Sequence, residues 1–300
     1  MATRDGVPMP SAPRPPVALA VPNVSEGRDP ATIRALVDAC EVPRVRVLDV
    51  HSDPDHHRSV ISLRGEPLAL QDALVALAAE CVDRIDLRRH RGAHPRTGGL
   101  DVAPLVAADE DGAGLAREVA LGLAGRLASE IALPVFLYGA VATDGARARP
   151  RDFRREGLEG LARRVEEGGI VPDAGPPRLH PTAGAVLVGV RPPLIALNVW
   201  LPEAGLTEAR AIAARVREAG GGLRGVRALG LYLPEAGMAQ VSMNIENYPR
   251  ASPARVLGAV RREAGRLGVA VGETELVGLI PTAALRGASP AALDMPGFSP

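Results

Sequence analysis

The sequence predicts an α/β (α+β) protein of two subdomains, each with its elements in the order β-α-β-β-α-β. Three observations carry this reading. Apolar residues at helical spacing alternate with short apolar runs bounded by turn residues. That order occurs twice, once over residues 17–107 and once over residues 194–280. The chain has 300 residues, 46 % of them hydrophobic, which is enough for two cores. The repeated order is the split-βαβ, or ferredoxin-like, pattern. The chain therefore reads as a duplication of architecture rather than of close sequence.

The elements follow in turn. Residues 17–21 are a short apolar run, and Pro22-Asn23-Val24-Ser25-Glu26-Gly27-Arg28 reads as a turn. Asp29 is placed to cap a helix that opens at Pro30: the carboxylate accepts from first-turn amides, and proline has no amide to leave unpaired. Ile33, Leu36, Val37 and Cys40 form the stripe of that helix. Residues 45–50 and 59–63 read as strands around the polar loop 52–58. Leu70, Leu74, Leu77 and Cys81 mark a helix over 67–85, and a strand follows at 102–107. Next comes an insertion. Leu115, Val119, Leu123 and Leu127 give a helix, residues 135–138 a strand, and residues 147–164 an arginine-rich stretch that reads mostly as a solvated helical face. Residues 172–184 form a stiff Pro/Gly-rich linker between the two lobes, a natural cleft wall. In the second half, residues 194–200, 226–233 and 239–245 read as strands, with short strands at 269–271 and 276–280. Helices are expected at 209–218, with Ile212 and Val216 inward, and at 253–267, with Val256, Val260 and Leu267 inward.

Composition limits the function. The formal net charge is +0, which argues against bulk binding to nucleic acid or an anionic membrane. No segment approaches the apolar length of a membrane span, and the Pro-rich start is neither a signal peptide nor an anchor. A cytoplasmic protein is expected. Cys40 and Cys81 form no metal or redox motif and read as buried thiols of a reducing compartment. The chain has no lysine, which excludes lysine Schiff-base chemistry. With aromatics at only 2 %, Tyr138, Trp200, Tyr232 and Tyr248 are the candidates to stack on a flat ligand, set against the simpler reading that each fills core space.

Three stretches carry the candidate chemistry. In His94-Pro95-Arg96-Thr97-Gly98-Gly99-Leu100-Asp101, Pro95 holds His94 extended and Gly98-Gly99 keep the backbone free, so an imidazole suited to proton transfer near neutrality sits on a turn. Asp49-Val50-His51-Ser52-Asp53-Pro54-Asp55-His56-His57-Arg58 gathers acids, imidazoles and an arginine. Asn23 with Ser25-Glu26-Gly27-Arg28 is the third. Such groups at strand ends handle protons and bind carboxylates, though plain solvation explains a charged loop equally well. A metal site is disfavoured. His90 and His94 are interrupted by Gly92 and followed by Pro95, and no HExxH or Cys/His set accompanies them. Gly220-Gly221-Gly222 has no P-loop context and reads as a flexible loop.

Taken together, Val21-Pro22-Asn23-Val24-Ser25-Glu26-Gly27-Arg28, His90-Arg91-Gly92-Ala93-His94-Pro95-Arg96, Leu100-Asp101-Val102, Tyr138-Gly139, Pro172-Asp173-x-Gly175-Pro176, Ala239-Gln240-Val241-Ser242 and Val277-Gly278-Leu279-Ile280-Pro281 resemble, in order and spacing, the glutamate formimidoyltransferase family. The resemblance runs over residues 17–285. It implies two ferredoxin-like subdomains with a ligand tunnel between them, and transfer of a formimidoyl group from N-formimidoyl-L-glutamate to N5 of tetrahydrofolate in histidine degradation. It also implies a catalytic histidine at His94 and a folate-binding segment at Gly175, Pro176, Pro177, Arg178, Leu179, His180, Pro181, Thr182, Ala183 and Gly184. Tetrahydrofolate is then a co-substrate and no metal is expected. The partners are small molecules, and a homodimer is compatible with the reading.

On that basis the chain divides into a loose tail (1–16), an N-terminal subdomain (17–177), a C-terminal subdomain (178–285) and a second tail (286–300). The sequence ends at Pro300 without a counterpart of the cyclodeaminase domain fused to this enzyme in animals. Asp49 or His51 is expected to orient His94 or to protonate the leaving nitrogen, and Arg58 and Arg96 to bind carboxylates. The chain departs from the family pattern at His51, His57, Glu156-Gly157 and Trp200. Those departures keep two alternatives open: a folate-binding protein without transferase activity, and formyl transfer from N-formylglutamate. A metal-dependent hydrolase is the reading left if the resemblance is set aside.

Overall fold

A computed structural model describes residues 16–107, 110–295 and 298. The expected N-terminal tail, Pro16 excepted, lies outside the described residues.

The first half builds a seven-stranded sheet. Its opening strand is split at Pro22 into β1 (Ala18–Ala20) and β2 (Asn23–Val24). Helix α1 (Pro30–Asp38) starts as the sequence predicts: the Asp29 carboxylate accepts from the amides of Ala31 and Thr32 at 3.1 and 3.2 Å. Then come β3 (Val45–Asp53), β4 (Arg58–Gly65), α2 (Pro67–Arg84) and β5 (Leu100–Val106). The split strand lies between β4 and β5, with β3 outside β4. In order of appearance the strands therefore stand 2-3-1-4, which is the ferredoxin-like arrangement. Beyond β5 the insertion adds α3 (Glu110–Glu130), β6 (Val135–Gly139), α4 (Pro150–Phe153), α5 (Gly157–Glu166) and β7 (Val186–Arg191). β7 runs parallel to both β5 and β6 and joins them.

Helices α2 and α3 bury Leu70, Leu74, Leu77, Cys81, Val119, Leu123 and Leu127 against one face of this sheet. α4 and α5 cover β5, β6 and β7 on the other face, where the rings of Phe136 and Phe153 lie 5.2 Å apart. Cys40 and Cys81 are buried and free, and burial pushes the Cys40 thiol up to about 12.

The second sheet holds β8 (Ile195–Leu201), β9 (Val226–Leu233), β10 (Met238–Ile245) and β11 (Thr274–Val277), in the order β11-β8-β10-β9. Helices α6 (Leu206–Val216) and α7 (Pro253–Arg266) cover one face of it. This is again the 4-1-3-2 order, so both halves carry the same fold.

Several expectations are corrected. Residues 186–191 form a strand of the first sheet, so the change of subdomain falls at residues 192–194, not at 177/178. The Pro/Gly-rich stretch 172–184 is therefore internal to the first subdomain. The sequence masked this because residues 186–190 have no alternation: the strand is buried on both faces. Residues 269–271 are not a strand, because the amides of Val269 and Gly272 serve the end of α7 and Trp200 instead. Leu267 is 49 % exposed, lying just past the last turn of α7. Residues 286–295 are no tail: Leu293 and Met295 are buried in the second core, and Arg261 pairs with Asp294.

β3 carries a bulge at Leu48. Before it, Val45 and Val47 lie opposite Gly65 and Leu63 and pack toward the helices. After it, Asp49, His51 and Asp53 lie opposite Ser62, Val60 and Arg58, on the other face. An extra residue re-aims the strand in this way, so its polar half turns toward the second subdomain. The two halves are also latched at a hairpin. Buried Asp55 accepts from the amides of Glu235 and Ala236, in the β9–β10 turn, at 2.9 and 3.2 Å. Its own carbonyl accepts from Ala93 at 3.0 Å. Asp55→Ala strips both turn amides of their partner and is expected to cost about 1–3 kcal/mol. Urea unfolding measures the loss, and faster hydrogen exchange at residues 235–236 locates it.

Candidate active site

The three stretches singled out by residue type converge. The Ser25 hydroxyl donates to the carbonyl of Gly98 at 2.8 Å, and the amide of Gly27 donates to His57 Nδ1 at 3.1 Å. The His57 and His90 rings stack at 3.9 Å. His94 stands on the loop between α2 and β5, beside His56, with 6.2 Å between ring centroids. Ser25, His56, His57, Arg58, His94, Arg96 and Asp101 line one small pocket.

Asp101, 1 % exposed, anchors the His94 loop. It accepts from the Thr97 amide at 2.7 Å and the Thr97 hydroxyl at 2.9 Å, and forms an ion pair with Arg154. A buried carboxylate needs such partners to remain charged. Arg96 holds the same loop from the other side, donating to His90 Nε2, the Gly92 carbonyl and the His94 carbonyl at 2.9, 3.1 and 2.6 Å. Arg58 differs. It makes no ion pair among the described residues, and its buried Nε has no hydrogen-bond partner. Burial lowers its guanidinium to about 10, and Arg154 and Arg191 act the same way against Asp101 and Asp53. A partly buried cation that makes no ion pair is suited to an anionic ligand.

Burial holds the His94 imidazole well below the ordinary histidine range, and the charges of Arg58 and Arg154 and the neighbouring His56 reinforce this. Burial lowers His56 and His57 as well. All three are thus neutral near pH 7, and a neutral imidazole is a proton acceptor.

The segment 175–184 is strapped to the His94 loop. The amide of Gly99 donates to Ala183, that of Ala185 to Thr97 and that of Leu87 to Thr182, each at 2.9 Å. Gly184 has φ +69°, and a Cβ there would sit 2.2 Å from the Thr97 carbonyl oxygen, so only glycine permits the approach. His180 Nδ1 accepts from the Ala183 amide at 3.0 Å inside the segment. No residue of 175–184 lines the His94 pocket.

Asp49 and His51 lie elsewhere. They line a second cleft, of about 440 Å³, whose other wall is Trp200, Glu273, Thr274, Glu275 and Leu276 from the second subdomain. His51 Nε2 stands 3.5 Å from Glu275, and Glu275 accepts from the Asn198 amide at 2.9 Å. The structure therefore joins His94, Arg58 and Arg96, and places Asp49 and His51 in a separate cleft, where neither contacts His94 to orient it as expected.

Sequence reading gave no site role to Arg154, Asp101 or Glu275. Arg154 lay within a stretch that looked like a solvated face, and only the tertiary structure pairs it with Asp101. Of the aromatic candidates, Trp200 lines the cleft. Tyr138 is core, with its ring over Gly189; Tyr248 packs on the second core; and Tyr232 is 44 % exposed. Among the described residues, no three His, Cys, Asp or Glu side chains converge as a metal-ligand set, and no helix is long and apolar enough to cross a membrane.

Comparison with known families agrees with the division of the chain into two subdomains. Residues 17–191 match the N-terminal subdomain of the formiminotransferase domain, and residues 196–291 match the formiminotransferase domain that follows it. The meeting point coincides with the subdomain boundary in the structure. The chain is 38 % identical to the glutamate formimidoyltransferase of Streptococcus pyogenes serotype M1, covering 88 % of this chain and 89 % of that one. It is 37 % identical to the glutamate formimidoyltransferase of Thermoplasma acidophilum, with 93 % and 92 % covered. It is 35 % identical to the formimidoyltransferase-cyclodeaminase of Rattus norvegicus, covering 88 % of this chain and 50 % of that one. The chain belongs to the formiminotransferase family, as an enzyme of the glutamate formimidoyltransferase type.

The lowered histidines have a consequence for stability. Their folded pKa values lie below the ordinary 6.5, so the unfolded chain binds more protons as pH falls through that value. Their contribution is complete above about pH 6.5 and is lost progressively below it. The urea midpoint is expected to hold between about pH 8 and 7 and to fall between about pH 6.5 and 5. A constant midpoint across the lower interval would contradict the assignment.

Proposed function

We propose that this enzyme moves a formimidoyl group from N-formimidoyl-L-glutamate to N5 of tetrahydrofolate, with His94 as general acid and base, in histidine degradation. The observation that carries the reading is a His94 imidazole held below its ordinary range, in one pocket with an Arg58 that makes no ion pair among the described residues, in a chain of this family. N5 attacks the amidine carbon and a C–N bond forms. His94 takes the surplus proton from N5. It then returns a proton to the glutamate nitrogen as that C–N bond breaks, so the imidazole ends neutral. The products are 5-formimidoyltetrahydrofolate and glutamate.

Arg58 holds a carboxylate of the donor. Arg96 fixes the loop that carries His94 and adds positive charge for the donor's second carboxylate or the glutamyl tail of the folate. Asp49 and His51, in the adjoining cleft, orient the amidine. The segment Gly175 to Gly184 binds folate beside the His94 loop. Two substrates held in line supply much of the remaining acceleration.

The test mixes the protein with tetrahydrofolate and N-formimidoyl-L-glutamate, acidifies, and follows absorbance of 5,10-methenyltetrahydrofolate, with N-formylglutamate as a parallel donor. Product that scales with enzyme supports the reading. Bound tetrahydrofolate without product from either donor favours a binding protein instead. His94→Ala is expected to lose roughly 10²–10⁴-fold in kcat while still binding tetrahydrofolate. Near-normal turnover would remove His94 from this role.

A further inference from the structure

We infer that His56 is a specificity-determining residue: its imidazole Nε2 accepts a hydrogen bond from the imino nitrogen of the formimidoyl group and so selects that group over a formyl group. The inference rests on the transferase reading above and adds to it the contact that tells the donor from its oxygen analogue.

His56 has no part in the proton transfers assigned to His94. It stands on the turn between β3 and β4, 6 % exposed, and lines the same small pocket as His94 and Arg58. Its ring centroid is 6.2 Å from that of His94. The turn is fixed by its neighbours. The His56 amide donates to Asp53 Oδ1 at 2.7 Å. Asp55, the preceding residue, holds the amides of Glu235 and Ala236 with its carboxylate, and its carbonyl accepts from Ala93, next to His94. The two imidazoles therefore keep their spacing before a ligand arrives, which lowers the cost of binding one between them.

The two nitrogens of the His56 ring differ. Asp53 Oδ2 lies 3.9 Å from Nδ1. A carboxylate there attracts a ring proton to Nδ1. Burial favours the neutral ring, so Nε2 then presents a lone pair. Nε2 is buried and has no partner among the described residues. A buried polar atom left unpaired is unfavourable in the free protein and favours a ligand that pairs with it. Arg58 Nε, in the same pocket, is unpaired in the opposite sense, as a donor. A ligand that satisfies both carries an N–H and an anion. Formimidoylglutamate has both: its imino nitrogen bears hydrogen, and its carboxylates suit a guanidinium. In N-formylglutamate an oxygen with lone pairs only replaces that nitrogen, and it faces the lone pair of Nε2. Moving the ring proton to Nε2 relieves the repulsion but forfeits the attraction of Asp53. Selection of this kind comes from the partner that is repelled as much as from the one that is bound.

The test compares the wild-type protein with His56→Leu and His56→Gln. Transfer to tetrahydrofolate gives kcat/KM for N-formimidoyl-L-glutamate. N-formyl-L-glutamate is titrated against it as a competitor, so that its inhibition constant is read whether or not it reacts. In the wild type that constant is expected to lie at least about tenfold above KM for formimidoylglutamate. Leucine removes the acceptor, so His56→Leu is expected to lose about tenfold or more in kcat/KM, with the inhibition constant of formylglutamate unchanged or lower. The carboxamide of glutamine can turn either its oxygen or its nitrogen to the ligand. His56→Gln, which also serves should the leucine variant not fold, is therefore expected to bind formylglutamate more tightly and lose the preference. Variants that keep the wild-type preference would overturn the inference. So would parallel losses for both compounds, which make His56 structural or a general part of the catalytic site. A wild type that holds both compounds equally well overturns it too, and each of these results leaves the transferase reading standing. Absence of any transfer from formimidoylglutamate by the wild-type protein would remove that reading, and this inference with it.

Discussion

The carboxylate of Asp101 is the point on which the site depends. It is buried at the start of β5, where an unpaired charge would be prohibitive. Its partners are Thr97, on the loop that carries His94, and Arg154, on the arm between α4 and α5. One carboxylate therefore fixes the His94 loop to the sheet and recruits a guanidinium from a remote segment. Through the Thr97 carbonyl the same loop is tied to Ala185, and through Gly99 to Ala183. Residues 175–184 and the His94 loop are thus one hydrogen-bonded unit.

That unit creates an environment which is unfavourable in the free protein and useful with substrate bound. His94 is held below the ordinary histidine range by burial and by the charges of Arg58 and Arg154. Arg58 has a buried, unpartnered Nε and makes no ion pair among the described residues. Groups arranged this way need little reorganisation when a dianionic donor and a proton transfer arrive, which is the benefit of preorganised electrostatics. Stability is given up at such sites and is recovered when ligand binds. The two open sheet faces follow the same rule. They meet through polar side chains rather than an apolar core, so the space between the halves suits a polar ligand.

Much of this was legible in the sequence where local chemistry decides the outcome. Asp29-Pro30 announced a capped helix, the stripes of α2 and α7 announced their buried faces, and turn residues beside extended runs gave the repeated βαββαβ order. The site was legible as three polar stretches because its histidines and arginines cluster along the chain. Local chemistry fails where tertiary pairing decides. β7 lacks alternation because both its faces are covered, so no strand was read there and the subdomain boundary was misplaced. The bulge at Leu48, which re-aims Asp49 and His51, leaves no mark in the residue pattern. Arg154 resembles its solvated neighbours until Asp101 is placed beside it. Leu293 and Met295 read as a tail because a few apolar residues near a terminus have no period, yet they complete the second core.

The central claim is that enclosure and neighbouring positive charge keep His94 neutral and ready to accept a proton. Nuclear magnetic resonance of protein carrying isotope-labelled histidine, with His94→Ala to assign the signal, tests it directly. The account predicts a His94 imidazole that remains unprotonated at pH 7 and titrates well below 6.5, the ordinary histidine value. A His94 signal that titrates at or above that value would contradict it.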